Sequence, residues 1–109
     1  MLFLSYSRND LTIAQNIRES LEFLGVNVWM DIEKISTATS WSETVRAAVI
    51  AADQVAVVLS RASVTSRGVW AEYLLAEGHS KQVYVLRVDD SVVPTRIASY
   101  PAFIPYRSW

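Results

Sequence analysis

The chemistry open to this chain centres on Glu72. It lies in the stretch Ser66-Arg67-Gly68-Val69-Trp70-Ala71-Glu72-Tyr73-Leu74. The spacing predicts a helix with one carboxylate on an early turn and an apolar face on the other side. Gly68 and Ala76 stand four residues to either side of Glu72, so they neighbour it on the helix surface. Small neighbours leave a hollow around the acid, which a buried carboxylate contacting a small molecule would need. The alternative is a solvated glutamate on an ordinary helix face.

Other chemistries lack their residues. The three glycines, Gly25, Gly68 and Gly78, cannot form G-x-G-x-x-G or a Walker loop. A phosphoacceptor domain would want acidic residues after its first strand and an Asp closing its third. Here the corresponding positions read Ser5-Tyr6-Ser7 and Leu59-Ser60. A G-x-S-x-G nucleophile elbow is absent. There is no Cys, which excludes a disulfide framework and a Cys-bearing metal site. The single His, His79, reads as a helix-end residue, and no metal is expected.

Composition narrows the class further. The 109 residues suit one domain, 1–109, with one modest core, and an apolar content of 51% argues for a folded protein. Ten basic and eleven acidic residues give a net charge of −1 without any charge run, so nucleic-acid binding has no electrostatic support. Four Trp and five Tyr are many for this length and suit an interface or a pocket. Met1-Leu2-Phe3-Leu4 is too short for a signal-peptide core, and no apolar run approaches membrane-spanning length. A soluble cytoplasmic protein is the expectation.

The elements that must position Glu72 follow from period and punctuation. Residues 2–6 read as a strand, and residues 7–10 as a turn with Asn9 or Asp10 as a helix cap. Ala14, Ile17, Leu21 and Leu24 recur at helical spacing until Gly25. Residues 26–30 form a second strand, and residues 31–39 a loop without period. Ser40-Trp41-Ser42-Glu43 fits a capping box whose helix carries Trp41, Val45, Ala48 and Ala52 on one face. Val55-Ala56-Val57-Val58-Leu59 reads as a strand covered on both faces. Residues 60–66 read as a loop, the Glu72 helix ends near Gly78, and residues 82–88 form a fourth strand. Three prolines punctuate the remainder, and residues 106–109 could begin a fifth strand.

Strictly alternating strands and helices predict an α/β domain with a parallel, doubly wound sheet of flavodoxin-like order 2-1-3-4-5. Ligands of such sheets bind beyond the carboxyl ends of the strands, at the switch point between strands one and three. Residues 5–10, 29–39 and 60–72 gather there. No helix follows the candidate fifth strand, so a fragment of a longer protein, or a partner covering the last edge, is expected.

Several of these segments together resemble one family. Phe3-Leu4-Ser5-Tyr6-Ser7-Arg8-Asn9-Asp10 resembles the F-[IL]-S-Y-S-x-x-D opening of the TIR (Toll/interleukin-1 receptor) domain, most closely its bacterial NAD+-cleaving branch. Val28-Trp29-Met30-Asp31 is similar to the V-W-x-D end of that family's second strand. Residues 35–41, with Val45 and Ala48, resemble its BB loop and following helix, and residues 53–60 its third strand ending L-S. Trp70-Ala71-Glu72-Tyr73-Leu74 falls where the family has its helix with the E-L pair. The five segments lie in register over essentially the whole chain. Two positions depart from the pattern: Ala38 stands where the BB loop often has Gly, and Gly68 where a Trp often precedes the Glu by four residues.

The resemblance implies an enzyme that cleaves NAD+ at the nicotinamide–ribose bond, with Glu72 as the catalytic residue. NAD+ would be consumed as substrate, releasing ADP-ribose or a cyclised form, and no cofactor would be retained. Ser5, Tyr6 and Arg8 would line the nicotinamide and proximal ribose, Trp29 and Asp31 the base of the pocket, and Ser60, at a strand end, would accept or donate a hydrogen bond in it. Read without the resemblance, Trp29 is also a core aromatic, Asp31 a loop residue bonding its own backbone, Arg8 an exposed turn residue, and Trp41 a core or loop anchor. The family also implies self-association, possible filaments, a fused or partner sensor, and a role as effector in bacterial antiviral defence. Ile32, Ile35 and Trp41 in the BB loop would serve that assembly. Two other classes remain open: a non-catalytic TIR–TIR interaction module in signalling, and an α/β sugar-bond enzyme like the nucleoside deoxyribosyltransferases.

Overall fold

A computed structural model describes residues 1–31 and 43–103 of the protein. Five parallel strands form one sheet in the order β2-β1-β3-β4-β5, the order expected from the sequence. They are β1 (Leu2–Ser5), β2 (Val28–Trp29), β3 (Gln54–Leu59), β4 (Gln82–Arg87) and β5 (Ala102–Phe103). The helices are α1 (Leu11–Phe23), α2 (Glu43–Ala51), α3 (Arg61–Val64) and α4 (Arg67–Gly78).

Alternation along the central strands divides the core into two layers. Phe3, Val55, Val57, Leu59, Val83 and Val85 face α2 and α4, which answer with Val45, Val49, Val69, Tyr73 and Ala76. Leu2, Leu4, Tyr6, Ala56 and Val58 face the other way, onto Ala14 and Ile17 of α1. Burial on both faces explains why β3 reads as a continuous apolar run rather than an alternating one. Gly25, with φ of 91°, supplies the left-handed residue that stops α1 and turns the chain into β2.

The structure corrects two local expectations. Residues 60–66 are not simply a loop, because α3 lies within them. Ser60 caps it by accepting from the Ser63 N–H, while the Ser63 hydroxyl receives the Ser60 N–H in return. Four residues are too few for a helical period, and a Ser in the place usually held by Glu or Gln hides the box. The fifth strand lies at Ala102–Phe103, ahead of the expected position, paired to Val85 and Leu86. Residues 106–109 lie outside the described residues. So do Ile32, Ile35 and Trp41, and with them Ser40, the expected cap of α2.

Candidate functional site

Two serine caps in succession bring α4 to the carboxyl end of the sheet. After Ser60 starts α3, Ser66 starts α4 by accepting from the Val69 N–H at 3.3 Å. The Trp70 indole donates to the Val64 carbonyl at 2.8 Å, which ties α4 to the end of α3 and sets its rotation. At the far end of α4, Glu77 accepts from the Tyr73 hydroxyl at 2.8 Å, the Tyr100 hydroxyl at 3.1 Å and Arg96 at 2.7 Å. The helix is thus held at both ends by groups outside it.

Held this way, α4 buries Val69, Glu72, Tyr73 and Ala76. These positions run i, i+3, i+4 and i+7, the core stripe of an amphipathic helix. Glu72 therefore sits within the apolar stripe, not on the face opposite it as the spacing had suggested. It is 2% exposed. The Ser5 hydroxyl, itself wholly buried, donates to its carboxylate at 2.6 Å. Ser5 closes β1 and stands beside Val57 of β3, so the carboxylate lies where the strand order reverses. A Cβ added at Gly68 would make ordinary van der Waals contact with the Ser66 hydroxyl, at 3.9 Å.

Tyr6 follows on the chain and donates its hydroxyl to the Asp31 carbonyl. Burial pushes the Tyr6 phenol up to about 12, and the Asp31 and Glu72 carboxylates add to the shift. Ser5 thus meets Glu72 on the α4 side of the sheet, while Tyr6, packed on the α1 side, meets the backbone of Asp31. Trp29, in register with Phe3, stacks on it at 5.1 Å and 18° and packs against the core layer that contains α4. Arg8 is exposed on a turn of 3-10 helix that Ser7 caps.

Ser60 is engaged elsewhere. Besides capping α3, its hydroxyl donates to the Asp10 carboxylate at 2.5 Å. Asp10 was legible only as a cap for α1. Its side chain makes no cap bond there and is buried against Ser60 instead. A short motif cannot reveal a partner fifty residues away, so nothing in the sequence pointed to this pair. Further along α4, Val57, Leu59, Val64, Val69, Trp70 and Tyr73 border a cavity of about 10 Å³, roughly room for one water.

The fold and the site define a doubly wound α/β domain that buries the Glu72 carboxylate at its topological switch point. The chain belongs to the TIR domain family, whose model matches residues 2–108. It is similar in structure to the TIR domain of the Toll-related receptor TRR-2 from Hydra magnipapillata, with a TM-score of 0.77 and 16% identity over 94% of this chain and 82% of that one. It is also similar to the TIR domains of the activated Roq1 resistosome, which directly recognises the pathogen effector XopQ. There the TM-score is 0.66 and the identity 20%, over 83% of this chain and 58% of that one. At such identities the likeness extends to the fold alone. No curated protein matches the chain. Among the described residues, no helix is long and apolar enough to cross a membrane.

Proposed function

We propose that this TIR domain is an NAD+ glycohydrolase whose catalytic carboxylate is Glu72. The observation that carries the reading is a charged side chain in the apolar stripe of α4, aimed at the carboxyl end of β1 and held there by Ser5. A buried carboxylate destabilises a fold unless it is well compensated, and an apolar residue in its place is neutral or stabilising in many proteins. Its presence is explained by chemistry more readily than by packing.

The reaction breaks the bond between the ribose C1′ and the nicotinamide nitrogen. The electron pair passes to the pyridinium ring, which leaves neutral and needs no general acid. The ribose becomes oxocarbenium-like, as in glycoside hydrolysis. A carboxylate beside it orients the hydroxyls and stabilises the positive charge. Water then adds at C1′ and gives up a proton, yielding ADP-ribose; attack by a group of the same molecule yields a cyclic form. The dinucleotide is consumed, so no cofactor is retained. Trp29, on the face of the sheet that carries Ser5, offers an apolar wall beside the site. The setting we propose is cytoplasmic defence of a bacterial cell, under a fused or partner sensor.

Self-association belongs to the same proposal. Glu72 is 2% exposed, so a lone chain in this conformation offers substrate little access. Assembly that shifts the chain toward an open conformation would raise activity without adding catalytic groups. The TIR domains of the activated Roq1 resistosome are the model for such an assembly.

One observation favours the second reading, a non-catalytic interaction module. The same burial and the Ser5 bond are what a structural carboxylate would show. Release of nicotinamide from NAD+ by the purified chain, lost in Glu72→Gln, supports the enzyme. A folded Gln variant with wild-type turnover removes Glu72 from the chemistry, and an inert chain that still self-associates supports the module. Cleavage of nucleosides but not NAD+ would favour a deoxyribosyltransferase-like enzyme.

A further inference from the structure

We infer that Ser5 is a positioning residue for Glu72 rather than part of the surface that meets substrate. The inference rests on the reading of Glu72 as the catalytic carboxylate.

A serine hydroxyl has one proton to donate. In Ser5 that proton goes to Glu72 Oε1 at 2.6 Å. Ser5 is wholly buried in this conformation, at the end of a central strand and with its hydroxyl already engaged by the carboxylate. Its backbone is fixed in β1, which pairs with β3 from Leu2 through Ser5. The hydroxyl is therefore a buried donor at the end of a rigid strand. Glu72, in contrast, sits at the end of a side chain with three rotatable bonds on a different element. A fixed donor selects one orientation of the carboxylate, and catalytic groups held by such supports act with the geometry already set. The charge-assisted bond is also among the stronger kinds, so the orientation persists while the ligand changes.

The assignment separates two roles that a strand-end serine could have. A residue contacting substrate changes affinity, and its effect survives removal of the carboxylate. A residue acting through the carboxylate changes turnover, and its effect vanishes when the carboxylate is gone. The test is nicotinamide release by the full chain at high protein concentration, for wild type, Ser5→Ala, Ser5→Thr, Glu72→Gln and the double variant Ser5→Ala/Glu72→Gln. Each is first shown folded at the assay temperature by circular dichroism.

Ser5→Ala should lower kcat about 10- to 100-fold, the scale on which partners that orient a reactive ligand act, with KM little changed. Ser5→Thr keeps the hydroxyl and should recover most of the lost rate. In the Glu72→Gln background, Ser5→Ala should have no further effect. A raised KM at unchanged kcat, or an equal loss in both backgrounds, overturns the inference and returns Ser5 to the substrate surface. If the Gln variants fall below detection or the Thr variant does not fold, the split between kcat and KM in Ser5→Ala decides alone. A wild-type chain that releases no nicotinamide overturns the enzyme reading itself, a result distinct from an active chain indifferent to Ser5.

Discussion

Removing the hydroxyl of Ser5 should destabilise this protein more than removing the charge of Glu72, although the charge is the larger chemical change. The Ser5–Glu72 bond is buried, with Glu72 2% exposed. Ser5→Ala leaves the carboxylate in place without that donor, and losing a hydrogen bond to a charged group costs about 1.5–3 kcal/mol. An unfolding entropy of about 2.1 cal/mol/K per residue, over 109 residues, amounts to about 0.23 kcal/mol/K. Each kcal/mol then moves Tm by about 4 °C, so Ser5→Ala should lower it by about 6–13 °C. Glu72→Gln keeps an oxygen to accept the Ser5 proton and removes a charge that is unfavourable to bury. Its Tm should stay within about 4 °C of wild type, which corresponds to about 1 kcal/mol. The double variant has no buried charge to strand, so Ser5→Ala should cost less there than in wild type. Thermal melts at pH 7, followed by circular dichroism and checked for reversibility, measure all four proteins. If Ser5→Ala melts as high as Glu72→Gln, or the two effects simply add, the hydroxyl does not support the carboxylate and the reasoning fails.

Glu77 is held below its ordinary 4.5 by the Tyr73 and Tyr100 hydroxyls, then by Arg96. That stability is present above the unfolded value and lost as pH falls through the folded one, so Glu77→Gln should flatten the acid limb of the Tm profile below about pH 4.5. An unchanged slope would mean that the Tyr73–Glu77–Arg96 contacts do not form in solution. Tyr6 behaves in the opposite sense: its neutral form is favoured in the fold, so stability is complete below pH 10 and is lost as pH rises toward about 12. Tyr6→Phe should lower Tm at neutral pH through loss of the bond to the Asp31 carbonyl, yet show a shallower alkaline decline. An alkaline limb as steep as wild type contradicts this. Val64→Ile should fill the cavity beside Trp70 and raise Tm by about 2–4 °C, as a gain of about 0.5–1 kcal/mol would. A fall in Tm would show that the space is already closed by motion of Trp70. Activity per chain should drop on dilution into the monomeric range, since assembly is proposed to open the site; constant specific activity in a monomer shown by light scattering would refute that coupling.

Much of this fold is written in local pattern. The apolar run of β3, the helical spacing of Ala14 and Ile17, and Gly25 at the end of α1 each act within a few residues. Their alternation, together with the handedness of crossovers, leads to a parallel sheet covered on both faces, of which the flavodoxin-like order was the expected form. The residues of the candidate site were also legible as types at strand ends. Less legible were α3, too short for a period, and β5, a two-residue strand whose pairing depends on its neighbour β4.

The sequence by itself determined that Glu72 lies on an early turn of a helix with an apolar face. Its spacing suggested that this face lies opposite the carboxylate, whereas the folded helix buries Glu72 beside Val69, Tyr73 and Ala76. The sequence did not determine which way the face turns. That was decided by the anchors of α4 on Val64, Tyr100 and Arg96, which lie on other elements. Nor did it determine the pairs. Ser5 meets Glu72 from 67 residues away, and Ser60 meets Asp10 from 50, so the one serine holds the candidate carboxylate while the other closes a loop. Residues so far apart in the chain meet only through strand order and register. Those are properties of the assembled sheet, which no local spacing encodes.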